Sequence, residues 1–159
     1  MHLVRVISGG QTGADRAALA AARAAGIATG GWMPKGFRAL DGPRPEFAQL
    51  YGVKEHASDR YPPRTARNVK ESDCTLRFAT DWNSRGEVLT LQLCERYGRP
   101  HLDVTVGGDT TPAAVAAWLG TKAVRVLNVA GNSERTAPGI EAFVAAFLAD
   151  VFERLASEG

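Results

Sequence analysis

The chain lacks most of the features that assign a chemistry at first reading. It has two cysteines in 159 residues, Cys74 and Cys94, and neither belongs to a C-x-x-C pair. That excludes a disulfide scaffold, and both thiols are expected to be reduced and buried in a cytoplasmic protein. The three histidines, His2, His56 and His101, are scattered without ligand spacing, so no directly protein-bound metal is expected. No apolar run approaches the roughly 18 residues of a spanning helix, and no signal-peptide core precedes the first strand, so no membrane partner is expected. The formal net charge is only +2, and no block of like charge appears. Neither gives grounds for a nucleic-acid partner. What remains is ordinary for a soluble globular chain, 45% hydrophobic and 23% charged, and long enough for a single domain over residues 1–159 with a proper core.

What is present is concentrated at the start. Leu3 to Ile7 is a short aliphatic run of the kind that forms a buried strand. It leads into Ser8-Gly9-Gly10-Gln11-Thr12-Gly13, and an alanine-rich helical segment, Ala14 to Ala25, follows. Strand, glycine turn and helix N-terminus together make a place to hold an anion. First-turn N–H groups have no partner inside the helix, the macrodipole adds roughly half a positive charge, and glycine lets the backbone approach a ligand. The loop is not a P-loop, because no Lys follows Gly13. It is not a dinucleotide fingerprint either, because the glycines fall at 9, 10 and 13. A plain chain-reversing turn is the alternative. Arginines spread through the loops, at Arg38, Arg64, Arg67, Arg85 and Arg135, suit anionic ligands, since the guanidinium fork matches phosphate and carboxylate.

Beyond Gly26, a natural helix stop, Ile27 to Trp32 reads as a second strand. Phe37 to Tyr51, broken by Asp41-Gly42, Pro43 and Pro45, reads as a long loop. Tyr51 to His56 reads as a short strand, Asp59 to Pro63 as a turn, Arg64 to Ser72 as a short helix and Cys74 to Ala79 as a strand. The loop Asp81 to Gly86 precedes a helix over Glu87 to Tyr97 and a strand over His101 to Val106. A helix opened by Thr111-Pro112 and a strand over Val124 to Ala130 follow. In the last helix Ile140, Phe143, Val144, Phe147, Leu148, Val151, Phe152 and Leu155 keep i, i+3, i+4, i+7 spacing, a stripe that must cover one face of a sheet. Strands alternating with helices imply an α/β fold, a mostly parallel sheet with helices on both faces. Ligands then bind beyond the C-terminal strand ends, where strand order reverses. That nominates three junctions, Ser8–Gly13, Asn83–Gly86 and Gly131–Gly139, with Trp32-Met33-Pro34-Lys35-Gly36 as a side wall.

In order along the chain, four segments carry a family resemblance. They are Ser8-Gly9-Gly10-Gln11-Thr12-Gly13-Ala14-Asp15-Arg16, Gly30-Gly31-Trp32-Met33-Pro34-Lys35-Gly36, Arg64-Thr65-x-x-Asn68-Val69-x-x-Ser72-Asp73 and Leu127-Asn128-Val129-Ala130-Gly131. From about Leu3 to Leu148 the chain resembles the "putative molybdenum carrier" family, the circularly permuted YpsA-like branch of the SLOG superfamily. The resemblance implies a Rossmann-like three-layer α/β/α domain that holds a nucleotide or the molybdenum cofactor, a pterin carrying a phosphate. It implies a homo-oligomer as the default. The superfamily also contains phosphoribohydrolases that cleave the N-glycosidic bond of a nucleoside monophosphate, so such an enzyme is the alternative reading and a regulatory or assembly module acting through protein contacts the third. Two departures stand out. The family's usual Ser-Gly-Gly-Thr is Ser84-Arg85-Gly86-Glu87 here, with Thr90 kept, and its common Cys in the Gly-Gly-Trp segment is Met33. A thiolate ligand for molybdenum at that position is therefore lost.

The expected site is a phosphate held by the backbone N–H groups of Gly9 to Gly13, within a loop that includes Ser8, Gln11 and Thr12. Lys35 and Arg64 support it, and Arg16, Trp32, Asn68, Ser84, Arg85, Gly86 and Thr90 stand near. Asp15 and Glu87 are the catalytic candidates, because a carboxylate near a ribose stabilises an oxocarbenium-like centre. Each has a structural alternative: Thr12-x-x-Asp15 and Ser84-x-x-Glu87 both fit a capping box, the first with Asp in place of the usual Glu or Gln. Lys35 has the alternative of a solvated loop lysine, and Trp32 that of a core side chain whose N–H finds a partner. Arg64 shares a helix face with Asn68 and has the alternative of pairing with Glu71 or Asp73.

Overall fold

Strand and helix alternate through residues 2–158, which the computed structural model describes. The order is β1 (Arg5–Ile7), α1 (Ala14–Ala24), β2 (Ala28–Gly30), β3 (Trp32–Met33), a 3-10 turn (Lys35–Phe37), α2 (Phe47–Tyr51), β4 (Lys54–Glu55) and α3 (Tyr61–Lys70). Then come β5 (Cys74–Ala79), α4 (Arg85–Arg96), β6 (His101–Thr105), α5 (Pro112–Thr121), β7 (Val126–Gly131) and α6 (Ile140–Glu158). Five strands form one sheet in the order β2-β1-β7-β5-β6, and every pairing in it is parallel. The expected α/β architecture, a mostly parallel sheet between two helical layers, is what the chain adopts.

Burial explains the placement of the central strand. All six residues of β5 are buried, so it reads as a continuous apolar run rather than an alternating one. On one face α1, α5 and α6 share a single apolar cluster with the sheet, in which Phe78 of β5 meets Phe147 of α6 edge-on at 5.3 Å. The α6 stripe from Ile140 to Leu155 is buried as its spacing predicts. On the other face α3 and α4 pack through Val69, Leu93 and Cys94. The helices after β1 and β7 thus join one layer, and the helix after β5 joins the other. Because β7 and β5 are neighbours, the chain leaves their C-terminal ends in opposite directions and a crevice opens there.

Three expectations are corrected. The second strand does not run through to Trp32. Gly31 turns at a φ of +121° where a Cβ would fall on the Ser8 carbonyl, and Trp32–Met33 then pairs with Lys54–Glu55 in a small separate sheet. The long loop after Phe37 contains α2, whose Phe47 joins Leu19, Met33, Ala39 and Val53 in a second apolar cluster. Of the turn expected over Asp59 to Pro63, only Asp59 and Arg60 lie outside a helix; Tyr61 to Pro63 begin α3, with Pro62 and Pro63 in its first turn, where a missing N–H costs nothing.

Candidate functional site

A cavity of about 550 Å³ occupies that crevice. It falls within the range of roughly 300–1,000 Å³ typical of small-ligand sites. Its floor is the end of β7, from Asn128 to Gly131, and its walls are the first turns of α3 and α4 together with the loop after β1. Four arginines line it, Arg38, Arg60, Arg64 and Arg85, against two carboxylates, Asp15 and Glu87. A second hollow at the opposite strand ends, around Leu3, Leu119 and Leu155, has no comparable concentration of charge.

The loop after β1 supports this cavity more than it presents its amides to it. Only Gly9 and Gln11 of Ser8–Gly13 line the wall. The Gly10 N–H donates to Ser8 Oγ, Gln11 N–H to Asp15 Oδ2, Thr12 N–H to Gln11 Oε1 and Gly13 N–H to Glu141 Oε1 of α6, over 3.0–3.4 Å. These four N–H groups are occupied by protein oxygens, which departs from the expected backbone cradle. Gly13, at a φ of +88°, is the N-cap of α1 and has no room for a side chain, because its Cβ would fall on the Asn132 carbonyl. The helix therefore starts without the Thr12 cap. Thr12 Oγ1 accepts instead from Glu134 N–H at 3.3 Å.

Arg64 lines the cavity with no side-chain hydrogen bond to protein among the described residues, and Asp15 is its ionic neighbour. Projecting from α3, Arg64 is 8% exposed. Its Nε is buried with no partner, and its Nη1 stands 3.6 Å from Asp15 Oδ2, beyond hydrogen-bond reach. The guanidinium lies 5.3 Å from the Tyr61 ring, and Arg38 lies 5.0 Å from the same ring. Gly9 explains how Arg64 fits, since a Cβ there would occupy the place of Nη1. Arg64 pairs with neither Glu71, which Arg67 holds at 2.7 Å, nor Asp73, which accepts from the Arg125 and Val126 N–H groups. Asp15 is buried beside it. Burial raises its carboxyl to about 6, against the pull of the Arg64 guanidinium.

Glu87 enters from the first turn of α4, only 4% exposed. Ser84 Oγ donates to its carboxylate, and Asn132 Nδ2 donates to Oε2 at 2.7 Å. So the Ser84 hydroxyl serves the Glu87 carboxylate and makes no cap to the helix backbone. Burial nevertheless pushes the Glu87 carboxyl up. Beneath it Arg77 of β5, 2% exposed, pairs with Asp103 of β6 and donates to the Glu87 carbonyl at 2.8 Å, pinning the turn to the sheet. Gly86 and Arg85 line the cavity mouth, and Thr90 Oγ1 is tied to the Gly86 carbonyl at 2.9 Å.

Other candidates are committed elsewhere. Arg16 makes a two-point contact with Asp41 at 2.5 and 3.0 Å. Asn68 reaches the cavity, but its amide clamps the Trp32 backbone, N–H and carbonyl both. Trp32 and Lys35 are not on the cavity wall. The Trp32 indole donates to Glu71 under Arg67, and Lys35 is exposed. The trio of Asn132, Tyr61 and Glu141 was not singled out from sequence. Asn132 lies within the nominated Gly131–Gly139 loop, Glu141 has no local signal because its partner Gly13 is 128 residues away, and Tyr61 falls in the expected Asp59–Pro63 turn, three residues before the Arg64 beside its ring. Among the described residues no group of three or more His, Cys, Asp or Glu side chains is placed to hold a metal ion, and no helix is long and apolar enough to cross a membrane.

Residues 6–152 match the family model described as the circularly permutated YpsA SLOG family. A crystal structure of a "Putative molybdenum carrier protein" from Syntrophus aciditrophicus is similar over 95% of each chain, at 36% identity and a TM-score of 0.86. No curated protein matches the chain.

Proposed function

The chain belongs to the circularly permutated YpsA SLOG family, and from that premise we propose that it binds a phosphate-bearing small molecule, a nucleotide or a pterin cofactor, in the cavity beside the Ser8–Gly13 loop. The observation that carries this reading is Arg64. A buried guanidinium that lines a cavity large enough for a nucleotide, and whose Asp15 neighbour stands beyond hydrogen-bond reach at 3.6 Å, suits an anion there. Charge supports the same class. Four arginines against two carboxylates leave an excess that matches the roughly −1.5 to −2 of a phosphomonoester near neutral pH. The first turn of α4 opens onto the cavity without a side-chain cap to the helix backbone, which adds a favourable field for a negative group.

The molybdenum cofactor fits this site through its organic part. Arg64 and the α4 turn would take its phosphate, while Cys74 and Cys94 are buried away from the cavity wall and offer the metal no thiolate. Thermal unfolding with 5′-AMP, molybdopterin and molybdate tests the reading. A saturable rise in Tm with a phosphate-bearing compound supports it. Arg64→Gln should weaken that ligand at least about tenfold, because a charged hydrogen bond of roughly 1.5–3 kcal/mol is lost. No rise with any phosphate-bearing compound would overturn it.

A second reading has its own observation: two carboxyls with raised pKa line the one cavity. A carboxyl whose pKa is raised can give its proton to the departing base as the C–N bond breaks, and the carboxylate left behind can take the proton that water loses on adding to the sugar carbon. Chromatography for free base after incubation with nucleoside monophosphates tests it. Release abolished by Glu87→Gln supports hydrolysis, and no release from any nucleotide removes it while leaving the binding reading intact.

A further inference from the structure

Asp15 and Arg64 are each the other's main charge compensation, and they are held close without being latched. Both are more than nine-tenths buried, and 3.6 Å separates Oδ2 from Nη1. The Gln11 N–H and Arg16 relieve Asp15 less than Arg64 does. On its own helix Arg16 is committed to Asp41. From α4 the Glu87 carboxylate faces it with like charge, and from α3 the Tyr61 ring lies against Arg64. The loop contributes one N–H, that of Gln11, at 3.4 Å. An anion bound at Arg64 competes with Asp15 for the field of the same guanidinium and brings negative charge beside the carboxyl.

We propose that an anion entering the cavity draws Arg64 away from Asp15, that Asp15 then binds a proton and becomes a hydrogen-bond donor to the ligand, and that anion binding is therefore coupled to proton uptake. This rests on the reading that the cavity takes an anion at Arg64. The sign follows from the two states. In the free protein Asp15 titrates at about 6. Losing the Arg64 field and gaining a neighbouring negative charge both raise that value, by about 1–3 units for such contacts. Above pH 6 the free carboxyl is ionised while the bound one holds a proton, so affinity falls as pH rises through that window.

Calorimetric titration with sulfate, which remains a dianion throughout, and with 5′-AMP, each in two buffers of different protonation enthalpy, reads the proton count. At pH 7 sulfate binding should take up between about half a proton and one proton, and sulfate affinity should fall by up to about tenfold per unit as pH rises from roughly 6 to 8. Both effects should vanish in Asp15→Asn and persist in Glu87→Gln. Independently of any variant, the Asp15 carboxyl carbon resonance should titrate at least about one unit higher with sulfate bound. Sulfate binding without proton uptake and with pH-independent affinity would overturn the coupling and leave the anion site standing. Uptake lost in Glu87→Gln but kept in Asp15→Asn would overturn the role of Asp15. Binding of neither sulfate nor 5′-AMP would remove the anion site and the coupling together.

Discussion

At the scale of single residues, the cavity depends on small concessions made by neighbours. Gly9 has no side chain, so Arg64 can lie across the loop. Ser8 donates its hydroxyl to the Asp15 carbonyl at 2.8 Å, and Asn132 holds Glu87 while accepting from the Thr80 and Asp81 N–H groups. The cost falls on the carboxyls. Asp15 rises from 3.8 to about 6 on folding, so the unfolded chain gives up this proton first as pH increases. Its contribution to stability is highest below about pH 4, falls through the window from about 4 to about 6, and stays low above it. A shift of that size corresponds to roughly 1–3 kcal/mol lost between pH 4 and pH 7. Glu87 acts in the same direction. Urea unfolding across this range should show the decline in the wild type and a shallower one in Asp15→Asn. An equal slope in both would mean that Asp15 is not the group responsible.

At the scale of elements, local sequence signals are obeyed where the helix or strand is covered by its own kind and overridden where a site competes. The alanines of α1 are a packing device. Ala14, Ala17, Ala18, Ala21 and Ala22 are buried against α6 and the sheet, and their small size lets the two helices approach closely. Ala18→Leu should therefore destabilise by about 1–3 kcal/mol, as overpacking does, with Tm and urea midpoint falling together. A change within about 0.5 kcal/mol would show that α1 and α6 are not in close contact there. The capping boxes show the opposite. Thr12-x-x-Asp15 and Ser84-x-x-Glu87 are both present in sequence, yet neither hydroxyl caps its helix. One accepts from the Glu134 N–H, and the other donates to a carboxylate buried at the cavity wall. The same first turns that forgo these caps are the ones that border the ligand space.

At the scale of the whole molecule, the periodicity of strands and helices determined the α/β class. The α6 stripe, the buried run of β5 and the glycine turn after β1 each appear where their patterns place them, because each depends on neighbours within a few residues. The position of the cavity was also legible in outline, since strand-end loops in a parallel sheet converge on the switch point. The assignment of hydrogen bonds inside it was not. Glu141 of α6 takes the Gly13 N–H from 128 residues away, and Asn132 reaches back 45 residues to Glu87. Trp32 and Lys35 adjoin a strand end and read as a wall, but the turn at Gly31 carries them into a different sheet. Local spacing therefore settled which elements form and which loops meet. Only the folded packing decided that the loop amides are satisfied from within and that a buried arginine is left facing the hollow, because a donor's partner is fixed by proximity in space and not by distance along the chain.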